Sequence, residues 1–155
     1  MRYSKAELVR MLLQSTKRKT SRSDYLMDLI SKQLKMYQFA EVEYFLEITI
    51  GGDGLPIKIH EISKGTMNHA IVSPRDVFRI ALLDNAASII VLHNHPSGNI
   101  SPSEDDRKVT KRLVQAGIVI GIDLLDHILI GPNVQYFSYN ESEAEFKRYG
   151  KVLTI

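Results

Sequence analysis

Ala87 to Leu92 reads Ala-Ser-Ile-Ile-Val-Leu, a nearly continuous apolar run that ends abruptly in His93-Asn94-His95-Pro96-Ser97-Gly98. Such a run marks a buried central strand, and its end puts polar chemistry at a strand terminus. The flanking segments fit around it. Val42, Tyr44, Leu46, Ile48 and Ile50 alternate with Glu41, Glu43, Phe45, Glu47 and Thr49, the period of a strand with one apolar and one mixed face. Gly51-Gly52-Asp53-Gly54 turns the chain, and Ile57 to Ile62 pairs back as the second arm of a hairpin. Ser73-Pro74 opens a helix reaching about Asn85, with Ser at the N-cap and Pro at the first helical position, where its missing N–H costs nothing. A second helix, Ser103 to about Ala116, takes Ser101 as cap, Pro102 as first residue and Glu104 as capping-box acid. Ile118 to Ile130 and Val134 to Tyr139 read as strands, and Glu141 to Tyr149 as a terminal helix. The expected class is α/β, with helices and strands mixed along one sheet.

Ahead of this sheet the character differs. Leu8, Val9, Met11, Leu12 and Leu13 give residues 4–14 an amphipathic helical face, Ser15 to Ser23 is a polar basic linker, and a further helix covers about Asp24 to Tyr37. The first 35 residues carry nine Lys and Arg against three acids, although the whole chain is only +2. Residues 1–39 are therefore read as a basic helical N-terminal extension and residues 40–155 as the folded domain. At 155 residues, 44% hydrophobic and 25% charged, the chain suits one globular domain with a sizeable core. No apolar stretch approaches the roughly 18 residues that span a bilayer, and the opening MRYSKAELVR lacks a secretory signal's apolar segment. The expected location is the cytoplasm.

The absence of cysteine removes disulfides, thiolate catalysis and every Cys-based metal site, leaving five histidines and the carboxylates as metal donors. Two histidines at i and i+2 on an extended backbone project to one side, so His93 and His95 can converge on one ion. Asp106 follows in the first turns of the next helix, where a short loop returns it to the strand end. Two imidazoles and one carboxylate leave an open position for water, the arrangement of a catalytic rather than a structural zinc. Ser103, three residues before Asp106, comes with it and can hydrogen-bond an oxyanion forming there. The bland alternatives are a helix-start serine and a solvated acid favoured by the helix N-terminus. His60 and His69 are singles without a partner at chelating spacing.

His93-x-His95-Pro96, seven residues, Ser103, two residues and Asp106 resemble the JAMM (MPN) metalloprotease signature. Gly65-Thr66, Pro74-Arg75, His93-Asn94-His95-Pro96-Ser97-Gly98, Pro102-Ser103 and Asp126-His127-Ile128 are similar to the RadC-like branch, over about residues 40–138. The resemblance implies an MPN-like curved mixed sheet flanked by helices, with Zn2+ held by His93, His95 and Asp106. It also implies an upstream glutamate as general base. Of Glu41, Glu43, Glu47 and Glu61, Glu43 fits best, standing before Tyr44-Phe45 and a hairpin's length ahead of Gly65-Thr66. His127 is then a partner behind the metal ligands or, alternatively, a strand histidine paired with Asp126. The implied reaction is hydrolysis of a peptide or isopeptide amide bond by metal-activated water, with a peptide or isopeptide-linked protein as substrate. The competing expectation is a DNA-repair-associated module touching nucleic acid through the basic N-terminus, although residues 1–39 do not match the helix-hairpin-helix region many RadC-like proteins carry there.

Overall fold

The structure is a computed structural model that describes residues 32, 34–37, 39–65, 72–132, 135–142, 144 and 146–149. The helix over 4–14, the linker over 15–23, most of the helix over 24–37, Thr66 and His69 lie outside the described residues. Five strands and two substantial helices follow. They are β1 (Glu43–Ile50), β2 (Pro56–Gly65), α1 (Pro74–Leu83), β3 (Ser88–Asn94), α2 (Glu104–Ile120), β4 (Asp123–Ile130) and β5 (Tyr136–Ser138). Two single turns, α3 (Tyr139–Ser142) and α4 (Phe146–Tyr149), end the described chain.

The strands form one open mixed sheet in the order β2-β1-β3-β4-β5. β1 pairs antiparallel with both β2 and β3, β3 runs parallel to β4 with α2 as the crossover, and β5 returns antiparallel on the far edge. Val77, Phe78 and Ala81 of α1 and Leu113 of α2 pack one sheet face with Phe45, Ile89, Val91 and Leu129. Leu34 and Tyr37 lie on the other face with Leu46, Ile48, Ile50, Ile90, Leu92 and Ile128. The expected α/β sheet is thus present, flanked by helices.

Several local readings are corrected. β1 keeps the expected apolar and mixed faces, but the mixed one is buried too: Glu47 and Thr49 are as fully buried as Ile48, because β1 lies inside the sheet and α1 packs on the Phe45 side. The cap of α2 is Ser103, not Ser101, with Asp106 rather than Glu104 as the capping-box acid. α2 also runs to Ile120, so Ile118, Val119 and Ile120 form its last turn and β4 begins only at Asp123. β-branched residues favour strands, but here Gly121, at φ 83°, marks the real end of the helix as a left-handed C-cap. The helix expected over Glu141 to Tyr149 is two separate turns.

β4 carries one residue more than β3. Ile89 pairs with Leu124 but Ile90 pairs with Asp126, so Leu125 is accommodated as a bulge. A one-residue slip moves every later side chain to the other face. His127 therefore stands opposite Val91, on the same side as Phe45 and His93, where straight alternation would have turned it away.

Candidate metal centre

The candidate site forms where β1, β3 and α2 meet. Phe45 pairs with His93, so continuing the antiparallel register past the last paired residues brings Glu43 across from His95. Asn94 holds that end together: its Oδ1 accepts from Tyr44 N at 2.7 Å and its Nδ2 donates to Val42 O at 2.9 Å. A buried side-chain amide thus continues the ladder where backbone pairing stops. Sequence reading passed over Asn94; its signal was a polar residue between two histidines at the end of a buried strand.

Ser103 and Asp106 fix the third side. Ser103 Oγ accepts from Asp106 N at 3.1 Å, and Ser103 N donates to Asp106 Oδ2 at 2.6 Å. This reciprocal cap orients the carboxylate toward the histidines. His93 Nε2 lies 3.0 Å from Asp106 Oδ1, His95 Nε2 lies 3.3 Å from Asp106 Oδ2, and the two Nε2 atoms are 2.8 Å apart. One donor atom from each of Glu43, His93, His95 and Asp106 falls within 4.8 Å of the others. Ser103 stands beside this group through the cap. His93 is buried, while Glu43, His95 and Asp106 are half-buried, so the cluster faces an opening.

The donor set fits a metal ion. Ligands around a tetrahedral zinc with bonds of about 2.0–2.1 Å stand about 3.3 Å from one another, close to the three separations here. His95 Nδ1 lies 2.6 Å from Asn99 O, an atom that only accepts, so Nδ1 carries a proton and Nε2 is the nitrogen turned toward His93 and Asp106. Burial alone would raise the Asp106 carboxyl, but its bonds with His93 and His95 hold it well below the usual carboxylate range. The Asp106 bond in turn raises His95 against desolvation. An ionised carboxylate beside two imidazoles is what a divalent cation needs.

His127 lies behind the site. Its Nε2 is 2.8 Å from His93 Nδ1 and its Nδ1 is 2.6 Å from Thr110 Oγ1. Both ring nitrogens are thus engaged away from Asp126, whose Oδ2 accepts from Ser138 Oγ at 2.6 Å and whose Oδ1 accepts from Asn140 N at 3.0 Å. Complete burial pushes the His127 imidazole well below its ordinary pKa. Thr110 carried no spacing signal in the sequence; it meets His127 only through the β4 bulge and the packing of α2. His60 stands apart, with its Nε2 2.6 Å from Asp84 Oδ2.

A family model described as "RadC-like JAB domain" matches residues 20–144. The chain belongs to the RadC-like JAB domain family. Among relatives of this RadC-like domain, a UPF0758 protein of Staphylococcus aureus is 47% identical over 91 residues, covering 59% of this chain and 40% of the relative. A UPF0758 protein of Alkaliphilus metalliredigens is 43% identical over 109 residues, covering 70% of this chain and 47% of the relative. The matched part of the RadC-like chain thus spans less than half the length of these relatives. Among the described residues, no helix is long and apolar enough to cross a membrane.

Proposed function

We propose that this RadC-like domain is a zinc-dependent hydrolase of the JAMM type, cleaving a peptide or isopeptide amide bond in a protein substrate. The supporting observation is the convergence of His93, His95, Asp106 and Glu43 within 4.8 Å at a half-buried opening. His93, His95 and Asp106 would hold the ion. When bound, zinc would supply a Lewis acid and lower the pKa of the water it carries to about 7.

The chain's own groups divide the remaining work. Glu43, at the first residue of β1, is free of the cap and of the histidine bonding, so its carboxylate takes the proton from the attacking water and returns it to the departing nitrogen. Ser103 Oγ accepts from Asp106 N and keeps its own proton to donate to the carbonyl oxygen of the scissile bond. The test is Glu43→Gln assayed beside wild type on peptide and isopeptide substrates. The expected variant keeps its zinc and loses hydrolysis by at least about a hundredfold. Loss of zinc would mean that Glu43 serves as a ligand, and unchanged hydrolysis would remove it from the mechanism.

A second reading, contact with nucleic acid, is favoured by the nine basic residues among the first 35. Such binding weakens steeply with salt. A gel shift that is absent at low salt, or indifferent to raised salt, would count against it.

A further inference from the structure

Beyond His93 the chain has two conflicting tasks. It must leave β1, because the turn His95-Pro96-Ser97-Gly98 carries it toward Ser103 and Asp106; Gly98 N donates to His95 O at 2.8 Å, with Gly98 at φ 75°. Yet Glu43 has to stay beside the histidines, on the strand being left. Backbone pairing cannot do both. With Phe45 opposite His93, a continued antiparallel ladder would pair Tyr44 with Asn94 and Val42 with residue 96. Residue 96 is proline and has no N–H to give to the Val42 carbonyl. The register accordingly ends at Phe45 and His93.

The buried Asn94 side chain takes over where the ladder stops. Its Oδ1 accepts from Tyr44 N at 2.7 Å and its Nδ2 donates to Val42 O at 2.9 Å, so one amide supplies the acceptor and the donor that two ladder residues would have supplied. Its own backbone meanwhile pairs with Ile130 on β4. The amide reaches out from Cγ, one bond further from the main chain than a backbone carbonyl, so β1 is held but stands off. The two bonds fall on the residues either side of Glu43. On its other flank Glu43 pairs with Gly65, at the end of the edge strand β2, so the tie from this end of β1 to the sheet interior runs through Asn94.

We propose that Asn94 is a positioning residue for Glu43. Its amide replaces the backbone pairing that Pro96 forbids, and it fixes the Glu43 carboxylate across the opening from His93, His95 and Asp106 while the chain departs toward α2. The residue type follows from the two bonds. Aspartate would set an oxygen against the Val42 carbonyl, and leucine would leave both backbone groups without a partner. With both amide atoms engaged by β1, Asn94 acts on the site through Glu43 alone.

The part played by Glu43 rests on the hydrolase reading; the clamp itself does not. The test compares full-length wild type, Asn94→Ala, Glu43→Gln and the double variant by amide hydrogen exchange, zinc content and hydrolysis of a fluorogenic peptide and a lysine-ε-linked isopeptide. The Tyr44 N–H is expected to be protected in wild type and to exchange at least about tenfold faster in Asn94→Ala, with Ile48, deeper in β1, as the internal reference. Zinc content should stay at about one per chain, because Asn94 supplies no ligand. kcat should fall roughly tenfold to a hundredfold with KM little changed. In the double variant Asn94→Ala should add little to the loss already caused by Glu43→Gln, since both remove the action of one carboxylate. A residue that only held the fold together would add its loss in full. Unchanged Tyr44 exchange in a folded Asn94→Ala, or losses that multiply in full in the double variant, would overturn the proposal. If Asn94→Ala does not fold, Asn94→Ser, whose hydroxyl is too short to bridge both groups, takes its place. A wild type that hydrolyses neither substrate would remove the hydrolase reading, and the Tyr44 exchange rates alone would then decide the clamp.

Discussion

Glu47 sits four residues further along β1 than Glu43, on the same sheet face, but under α1 rather than at the opening. It is 0% exposed, and among the described residues neither carboxylate oxygen has a hydrogen-bond partner. Burial, and then the charge of Asp84, push its pKa up to about 8. Asp84, at the end of α1, is held below its usual value despite burial by hydrogen bonds from Thr49 and His60, with Lys58 adding a favourable charge. With the folded pKa of Glu47 above the unfolded one, the folded state binds the extra proton, and stability is lost as pH rises from near 4.5 to near 8. Glu47→Gln removes that loss. Urea unfolding at pH 5 and pH 8.5 is expected to show the variant gaining on wild type by on the order of 3 kcal/mol at the higher pH; an equal difference at both would contradict it. The contrast with Glu43 shows what single residues disclose. Both acids stand in one alternating strand, and only the sheet order and the Asn94 clamp separate the one at the mouth from the one sealed beneath a helix. The His93 and His95 pairing, by contrast, follows directly from the two-residue period of an extended chain.

α2 does two jobs at its two ends. At its start, the Ser103 cap satisfies helix N–H groups and aims the Asp106 carboxylate, so Ser103→Ala is expected to cost about 1 kcal/mol in thermal or urea unfolding. Ser103→Thr should keep the cap and most of that stability, and an Ala variant as stable as wild type would show the cap to be idle. Toward its other end, Gly117 lies against the start of β4, where an added Cβ would come within 2.5 Å of the Ile122 carbonyl oxygen and 3.2 Å of Phe78 Cζ. Gly117→Ala is expected to destabilise by about 1–3 kcal/mol through overpacking, despite alanine's better helix propensity. A gain in melting temperature would contradict this close approach. The presence of α2 was legible from its capping residues, but its limits were not. Ser101, Ser103, Glu104 and Asp106 offer two overlapping capping patterns, and Ile118-Val119-Ile120 suits a strand by propensity. The bulge at Leu125 left no trace in the alternation, so the face occupied by His127, and its meeting with Thr110, could not be foreseen.

Across the whole molecule, the mixed sheet brings the end of a buried parallel strand, the first residue of its antiparallel neighbour and the start of the crossover helix to one point. No single one of these elements could hold a cation. Because a ligand that binds only the folded state stabilises it by mass action, zinc at about 100 times its dissociation constant is expected to add roughly 2.7 kcal/mol and raise the melting temperature, and chelation should reverse the gain. A melting temperature indifferent to both would count against a site built by the fold. The most direct measurement is metal stoichiometry by mass spectrometry on purified wild type, His95→Ala and Asp106→Ala after equilibration with zinc and desalting. The expected result is about one zinc per wild-type chain and a small fraction of that in each variant. Wild type without zinc, or variants that retain as much as wild type, would contradict a centre formed by His93, His95 and Asp106.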